Sequence, residues 1–210
     1  MIERLIAGSV SFFARAVTGV RGNWQGCLPE PTPRIYYPNH TSHGDFVLIW
    51  SVLPAALRRK TRPVAGADYW LKDRFRHFVG DSVFHAVLID RNPRARDSDP
   101  MGPLVSVLDA GNSLIFFPEG TRNTTEAPLL PFKTGLHHLA KARPGIEMVP
   151  VWIDNLNRVM PKGEVIPIPL LCTVTFGTPI RLAEGEDRQA FIARAREALL
   201  ALAPAKEHDA

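Results

Sequence analysis

His40 and Asp45 are the first pair of side chains in the sequence that could act together in catalysis. They lie in one polar segment, residues 38–45, which follows a run rich in aromatic residues at 34–38. In a tight turn, the Asp45 carboxylate would accept a hydrogen bond from one ring nitrogen of His40, orient the ring and stabilise its charged form, leaving the other nitrogen as a general base. The sequence has no Gly-x-Ser-x-Gly element, which favours a hydroxyl of the substrate as the nucleophile.

Two other interpretations of this segment stay open. Asp45 could be the N-cap of the helix that follows, a role compatible with catalysis. His40, His43 and Asp45 could bind a metal ion, although their spacing differs from the His-x-His and Asp-His arrangement usual in metallohydrolases. We expect no metal here and interpret His43 as a bystander.

A second polar turn follows the apolar residues 114–117 and contains Glu119, Gly120, Thr121 and Arg122. Glycine lets backbone N–H groups approach an anion, and threonine and arginine side chains donate hydrogen bonds to phosphate oxygens. Glu119 could pair with Arg122 or accept a hydrogen bond from a polyol hydroxyl. The alternative is a solvated turn with a surface Glu–Arg pair.

The pattern of the whole chain predicts one α/β domain with a mostly parallel central sheet covered by helices, because short apolar runs alternate with helical periods. In such sheets, sites collect at the loops that follow the carboxyl ends of strands, where both polar turns lie. The predicted strands are 34–38, 63–67, 83–90, 113–117, 147–153 and 171–177. The predicted helices are 45–57, 69–79, 101–110, 133–142 and 187–202.

Composition limits the class of protein. The chain has 210 residues, 45% of them hydrophobic, and a net charge of +4, which is too low for a dedicated nucleic-acid binder. Residues 1–100 hold 14 Lys and Arg against 9 Asp and Glu, so the basic excess lies in the N-terminal half. Two distant cysteines exclude a CxxC zinc site and a disulfide scaffold; one long-range disulfide is possible, and two reduced thiols are the simpler interpretation.

Residues 1–24 are predicted to form an amphipathic helix that precedes the domain at 25–210. This helix could lie on a bilayer, pack on its own domain, or be a signal peptide with 5–14 as its apolar region. No stretch reaches the ~18–20 uncharged apolar residues of a membrane span. The apolar residues 46–57 lead into the basic residues 58–62, which could face lipid headgroups or an anionic ligand, or be the solvated end of a buried helix. The apolar stripe of the first helix would contain Ile2, Leu5, Ile6, Phe13, Ala16, Val17 and Val20.

The two polar turns resemble motifs of the glycerolipid acyltransferase family, which includes bacterial 1-acylglycerol-3-phosphate acyltransferase. The first turn has the pattern Asn-His-x-Ser-x-x-Asp, and residues 117–122 read Phe-Pro-Glu-Gly-Thr-Arg. Residues 87–91 (VLIDR), 132–135 (FKTG) and 149–153 (VPVWI) are similar to further blocks of the family, in the same order. Beyond residue 153 no specific motif is found.

The resemblance implies an O-acyltransferase that needs no cofactor and takes acyl-CoA or acyl-ACP as co-substrate. His40 would be the general base and Asp45 would orient it. The acceptor's glycerol phosphate would be bound by residues from three blocks, which are Arg91, Glu119, Gly120, Thr121, Arg122 and Lys133. A solvated lysine at the start of a helix is the alternative for Lys133.

The expected partners are an acyl-CoA or acyl carrier protein, a lysophospholipid and an anionic membrane surface, with no nucleic acid. The expected location is peripheral, on the cytoplasmic face of the membrane. The acceptor favoured is 1-acylglycerol-3-phosphate, which would give phosphatidate in phospholipid biosynthesis. Acylation of another lysolipid or glycolipid, hydrolysis of a thioester or ester, and a non-catalytic lipid-binding module of the same fold are the alternatives.

Overall fold

The computed structural model describes residues 2–42, 44–67, 84–89, 99–154 and 172–204. These residues form seven strands and six helices. The strands are β1 (Arg21–Trp24), β2 (Arg34–Pro38), β3 (Thr61–Gly66), β4 (Val87–Ile89), β5 (Ser113–Ile115), β6 (Glu147–Asp154) and β7 (Thr173–Phe176). The helices are α1 (Ile2–Thr18), α2 (Asp45–Val52), α3 (Ala55–Arg58), α4 (Gly102–Asp109), α5 (Gly135–Ala142) and α6 (Arg188–Leu200). His43, Arg91 and the predicted helix 69–79 lie outside the described residues.

All seven strands belong to one sheet in the order β1-β7-β6-β2-β5-β3-β4. β6, β2, β5, β3 and β4 pair in parallel, whereas β7 runs antiparallel to β6 and β1 runs parallel to β7. The predicted α/β fold with a mostly parallel sheet is confirmed. Since β2 and β5 are parallel neighbours, the loops that leave their carboxyl ends meet at one edge of the sheet.

The core lies on both faces of the sheet. β2 is buried along its whole length, with Tyr36 on one face and Ile35 and Tyr37 on the other. The face with Tyr36 is covered by α2 together with part of α1, and the opposite face by α4, α5 and α6. Because successive side chains of a strand alternate between faces, the continuously apolar runs in the sequence correspond to strands covered on both sides.

The predicted helix 45–57 is wrong as one continuous element. α2 ends at Val52 and the short helix α3 begins at Ala55. Pro54 lies between them and has no N–H to continue the helical hydrogen bonds, while Leu53 before it is extended, with φ −63° and ψ 138°. The apolar pattern continues across this break because both helices pack on the same face of the sheet.

The N-terminal helix is shorter than the predicted range 1–24. α1 ends at Thr18, and residues Arg21–Trp24 form the edge strand β1, which is not among the predicted strands. That strand carries little apolar signal because its first three residues are exposed. The predicted stripe also differs from the buried face, since Phe13 is 69% exposed while the polar Ser11 is buried. None of the described helices is both long and apolar enough to cross a bilayer.

Candidate active site

The His40–Asp45 contact predicted from the sequence is present. His40 lies just after β2, and Asp45 is the first residue of α2. His40 Nδ1 lies 3.0 Å from Asp45 Oδ2. Asp45 is completely buried, whereas the His40 side chain keeps 14% of its surface exposed. The buried carboxylate therefore holds an imidazole that reaches the surface of the site.

The hydrogen bonds of Asp45 determine which nitrogen of His40 carries the proton. Asp45 Oδ2 also accepts from the backbone N–H groups of Thr41 at 2.7 Å and Ser42 at 2.9 Å. Since this oxygen acts as an acceptor toward both amides, His40 Nδ1 is the donor in the third contact. The Nε2 atom of the neutral ring then has a free lone pair, which is the requirement for a general base.

Glu119 connects the loop after β5 to the loop after β2. Its Oε1 accepts from the His40 N–H at 2.8 Å, and its Oε2 accepts from the Leu130 N–H at 2.8 Å. Glu119 is 2% exposed. Burial raises the pKa of this carboxyl, and the two backbone donors oppose the rise. Both oxygens thus accept from backbone N–H groups, and no Glu119–Arg122 ion pair forms among the described residues. The contact of Glu119 with the acceptor stays a prediction.

Two asparagines fix the same loops and were not identified as site residues from the sequence. The buried Asn39 side chain exchanges two hydrogen bonds with the backbone of Ile153 at the end of β6, at 3.0 and 2.8 Å. Asn123 donates from its backbone N–H to the His40 carbonyl at 2.6 Å. Asn39 is the first residue of the first motif and Asn123 directly follows the second, so their positions in the sequence could have indicated this role.

Gly120 has the backbone conformation that glycine favours, with φ +69°. A Cβ at this position would come within 2.8 Å of Lys133 Cδ and 3.0 Å of Lys133 Nζ. Lys133 is held there by its backbone N–H, which donates to the Pro118 carbonyl at 2.8 Å. The predicted residues Gly120 and Lys133 are therefore neighbours in space.

Thr121 and Arg122 are exposed beside this glycine. Within the described part of the chain, no hydrogen bond or ion pair involves the side chain of either residue. The two are therefore free to donate hydrogen bonds to an anion, as the sequence predicts for them. The remaining predicted phosphate contact, Arg91, lies outside the described residues.

Comparison with known proteins identifies the family. A model of the family described as Acyltransferase matches residues 25–154, which include both loops of the site. The chain belongs to this acyltransferase family. The resemblance inferred from the sequence motifs is thus confirmed.

Several relatives are named 1-acyl-sn-glycerol-3-phosphate acyltransferase. The protein of this name from Limnanthes douglasii is 38% identical over 173 residues, which are 78% of this chain and 56% of that protein. The Escherichia coli K12 protein is 31% identical over 138 residues, 60% of this chain and 51% of that protein. The chain spans about half the length of the curated relatives it matches.

A solved structure shares the fold. The 1-acyl-sn-glycerophosphate (LPA) acyltransferase PlsC from Thermotoga maritima superimposes with a TM-score of 0.70 at 20% sequence identity. The match covers 97% of this chain and 83% of that chain. The shared fold therefore includes described residues beyond 154, where the sequence carries no recognised motif.

Proposed function

We propose that this acyltransferase-family chain transfers a fatty acyl group from an acyl thioester to the hydroxyl of 1-acylglycerol-3-phosphate, giving phosphatidate. The observation that carries the proposal is the contact of 3.0 Å between His40 Nδ1 and the buried Asp45 Oδ2. The names of the relatives support the choice of acceptor. The donor is acyl-CoA or acyl-ACP.

The proposed reaction begins when His40 Nε2 removes the proton from the acceptor hydroxyl. The oxygen attacks the thioester carbonyl, and the tetrahedral intermediate collapses with cleavage of the C–S bond. The leaving thiolate takes the proton from the His40 imidazolium, so that the products are an ester and a free thiol. No acyl-enzyme forms, and the protein returns to its starting protonation state. Asp45 stabilises the imidazolium through Oδ2 while the ring holds the proton.

The loop after β5 is proposed to bind the acceptor phosphate. Arg122 and Thr121 are exposed donors, and the missing Cβ of Gly120 leaves room for the Lys133 side chain beside this loop. Lys133, whose side chain lies over Gly120, supplies a second positive charge. Glu119 also acts indirectly, because its carboxylate holds the His40 backbone.

The proposed location is the cytoplasmic face of a membrane, with the chain bound peripherally. Two neighbouring aromatic side chains of α1 point into solvent, since Phe12 is 75% and Phe13 is 69% exposed. Exposed aromatic side chains are stabilised at a membrane–water interface, from which a lysophospholipid would also be drawn. Cys27 and Cys172 are free thiols, as suits a reducing compartment.

The direct test of this function is release of free thiol from acyl-CoA and acyl-ACP across a panel of acceptors. The panel contains 1-acylglycerol-3-phosphate, other lysophospholipids, a glycolipid and no acceptor. We expect thiol release that depends on 1-acylglycerol-3-phosphate, with phosphatidate identified by mass spectrometry. Thiol release at the same rate with and without every acceptor would indicate a hydrolase. No turnover with any pair, combined with vesicle binding, would indicate a lipid-binding module.

A further inference from the structure

We infer that a shallow cavity between α1 and α3 binds the phosphate of an anionic bilayer phospholipid between Arg15 and Arg58. This site is separate from the proposed acceptor site, and the inference rests on the proposed association with a membrane. The cavity has a volume of about 550 Å³. It is lined by Gly8, Ser11, Phe12, Arg15, Ala16 and Arg58.

One face of α1 forms the longer wall of this cavity. Its lining residues recur at intervals of three and four positions from Gly8 to Ala16, which places them on one side of the helix. A methyl group added at Gly8 would meet no atom within 4 Å, so the cavity is open to solvent at that end. The opening leaves room for a headgroup.

Arg58, the last residue of α3, is held in place by α2 and by the residue that follows α2. Its Nη2 donates to the Leu53 carbonyl at 3.1 Å, and its guanidinium carbon lies 5.2 Å from the centre of the Trp50 ring. Its Nε is buried and has no hydrogen-bond partner among the described residues. A guanidinium that lines the cavity and is fixed by an aromatic ring and a carbonyl is already oriented for an anion.

Arg15 brings a second positive charge to the same cavity. Burial lowers the pKa of Arg58, and the nearby charge of Arg15 lowers it further. In the described part of the chain, neither guanidinium forms an ion pair with a carboxylate. Two like charges without a counter-charge repel each other, whereas a phosphate group has enough acceptor oxygens to take hydrogen bonds from both.

The neighbouring aromatic residues favour a lipid over a free phosphate ion. Phe12 lines the cavity and is 75% exposed, and Phe13 beside it is 69% exposed. An aromatic pair next to two cations matches the boundary between the acyl chains and the headgroups of an anionic bilayer.

The cavity is also joined to the site through α2. α1 packs against α2, and α2 begins at Asp45, the carboxylate that holds His40. With eight residues, α2 is roughly 12 Å long. A phospholipid bound at Arg15 and Arg58 would therefore keep the proposed acyl-transfer site close to the bilayer surface.

The test is vesicle binding by the full chain and by three variants that each lose one positive charge. Arg58→Gln and Arg15→Gln change the cavity, and Arg59→Gln is the matched control because Arg59 is exposed, follows α3 directly and does not line the cavity. One vesicle preparation contains phosphatidylcholine with phosphatidylglycerol. The other contains phosphatidylcholine with cholesteryl hemisuccinate, which gives an equal negative charge from carboxylates.

We expect the wild-type chain to bind the phosphatidylglycerol vesicles more tightly than the hemisuccinate vesicles. Arg58→Gln and Arg15→Gln should each weaken binding to phosphatidylglycerol by about tenfold or more and remove this preference. Arg59→Gln should weaken binding to both vesicle preparations by at most about fivefold, which is the effect of one non-specific cation near an anionic surface. This control should still prefer the phosphatidylglycerol vesicles. Because Arg58 packs on Trp50, the exposed Arg15 provides a variant that does not disturb the fold.

Three results would overturn the inference. The wild type could bind both vesicle preparations equally, or Arg58→Gln and Arg15→Gln could bind vesicles as well as Arg59→Gln does. Millimolar inorganic phosphate could also release the chain from the vesicles at constant ionic strength. The last would assign the cavity to a free anion. Turnover of the wild-type chain on detergent-dispersed lysolipid is measured in parallel. Absence of turnover there contradicts the proposed function, whereas normal turnover without vesicle binding contradicts only the lipid site.

Discussion

The backbone N–H of His40 donates a hydrogen bond of 2.8 Å to Glu119 Oε1, which joins two loops whose residues lie 79 positions apart in the chain. The other oxygen of Glu119 accepts from the Leu130 N–H. The proposed general base is thus fixed twice, by Asp45 at its ring and by Glu119 at its backbone. Glu119 is a positioning residue for His40.

The buried Glu119 carboxyl gives a prediction for stability against pH. Burial raises its pKa in the folded chain, so between the usual value of about 4.3 and the raised value the folded state binds more protons than the unfolded state. The unfolding free energy of the wild type minus that of Glu119→Gln should therefore fall as pH rises through this window. Urea unfolding from pH 4 to pH 7 measures the difference.

The control for this experiment is Glu126→Gln, which removes an exposed carboxylate from the same loop. Its unfolding free energy should lie within about 0.5 kcal/mol of that of the wild type, as is usual for a substitution at an exposed position. The opposite result is that the unfolding free energy of the wild type minus that of Glu119→Gln rises with pH. This result would show that the hydrogen bonds from His40 and Leu130 outweigh burial, and it would contradict the prediction.

Asp45→Asn separates the charge of Asp45 from its hydrogen bonds. In Asp45→Asn the amide oxygen can keep the contacts of Oδ2, but the new NH₂ group takes the place of Oδ1, which is buried and has no partner among the described residues. We expect kcat to fall roughly 10²–10⁴-fold because the imidazolium loses its counter-charge, and Tm to fall as well because the buried NH₂ group is unpaired, at a cost of about 1–3 kcal/mol. Steady-state thiol release and thermal unfolding measure the two effects.

Asp45→Ala is the contrasting variant. It removes the acceptor for two backbone N–H groups, those of Thr41 and Ser42, and each buried donor left unpaired costs about 1–3 kcal/mol. This variant should lose stability as well as activity. Equal kcat values for Asp45→Asn and the wild type would exclude a catalytic role for the charge.

Gly120→Ala tests whether the turn requires glycine for more than its backbone angle. Gly111 is the matched control, because its φ is +75° and an added Cβ there meets no atom within 4 Å, whereas a Cβ at Gly120 meets Lys133. Both substitutions should destabilise the fold by about 1–2 kcal/mol through the left-handed backbone. Only Gly120→Ala should also raise the KM for the phosphorylated acceptor. Unchanged kinetics in that variant would separate Gly120 from the acceptor site.

Arg122→Gln tests the proposed phosphate contact. A hydrogen bond to a charged group contributes about 1.5–3 kcal/mol, so the KM for 1-acylglycerol-3-phosphate should rise roughly 10–100-fold while kcat changes little. Turnover of an unphosphorylated monoacylglycerol should stay the same. Arg143→Gln removes an equal charge at the far end of α5, where Arg143 pairs with Asp109, and should affect neither acceptor. An equal loss of activity on the phosphorylated and the unphosphorylated acceptor would contradict phosphate binding by Arg122.

The parts of the fold that were predictable are those with local signals. The strand 34–38 agrees residue for residue with β2, because its apolar run is bounded by Pro33 on one side and by the polar Asn39 and His40 on the other. The His40–Asp45 contact was predictable because both residues lie in one short turn. Pro54 indicates that a helix ends before it, but the apolar pattern continues without a break to residue 57. The prediction of one helix over 45–57 followed that pattern.

Features that depend on distant contacts were not predictable. Glu119 has the residue type of a ligand-binding group, and only the pairing of β2 with β5 brings it under the His40 backbone. β1 joins the sheet through β7, which is about 150 residues away, and its exposed residues carry no apolar period. The outward orientation of Phe13 follows from how α1 packs on α2, since the helical period alone placed it on the buried stripe.

The most direct test of the central claim compares thiol release by the wild type and by His40→Ala, with acyl-CoA and 1-acylglycerol-3-phosphate. The proposal predicts acceptor-dependent release and phosphatidate formation in the wild type, and a loss of roughly 10²–10⁴-fold in kcat for the variant, with the fold retained. Near-normal turnover by folded His40→Ala, or release that does not depend on the acceptor, would contradict direct acyl transfer by a His40 general base.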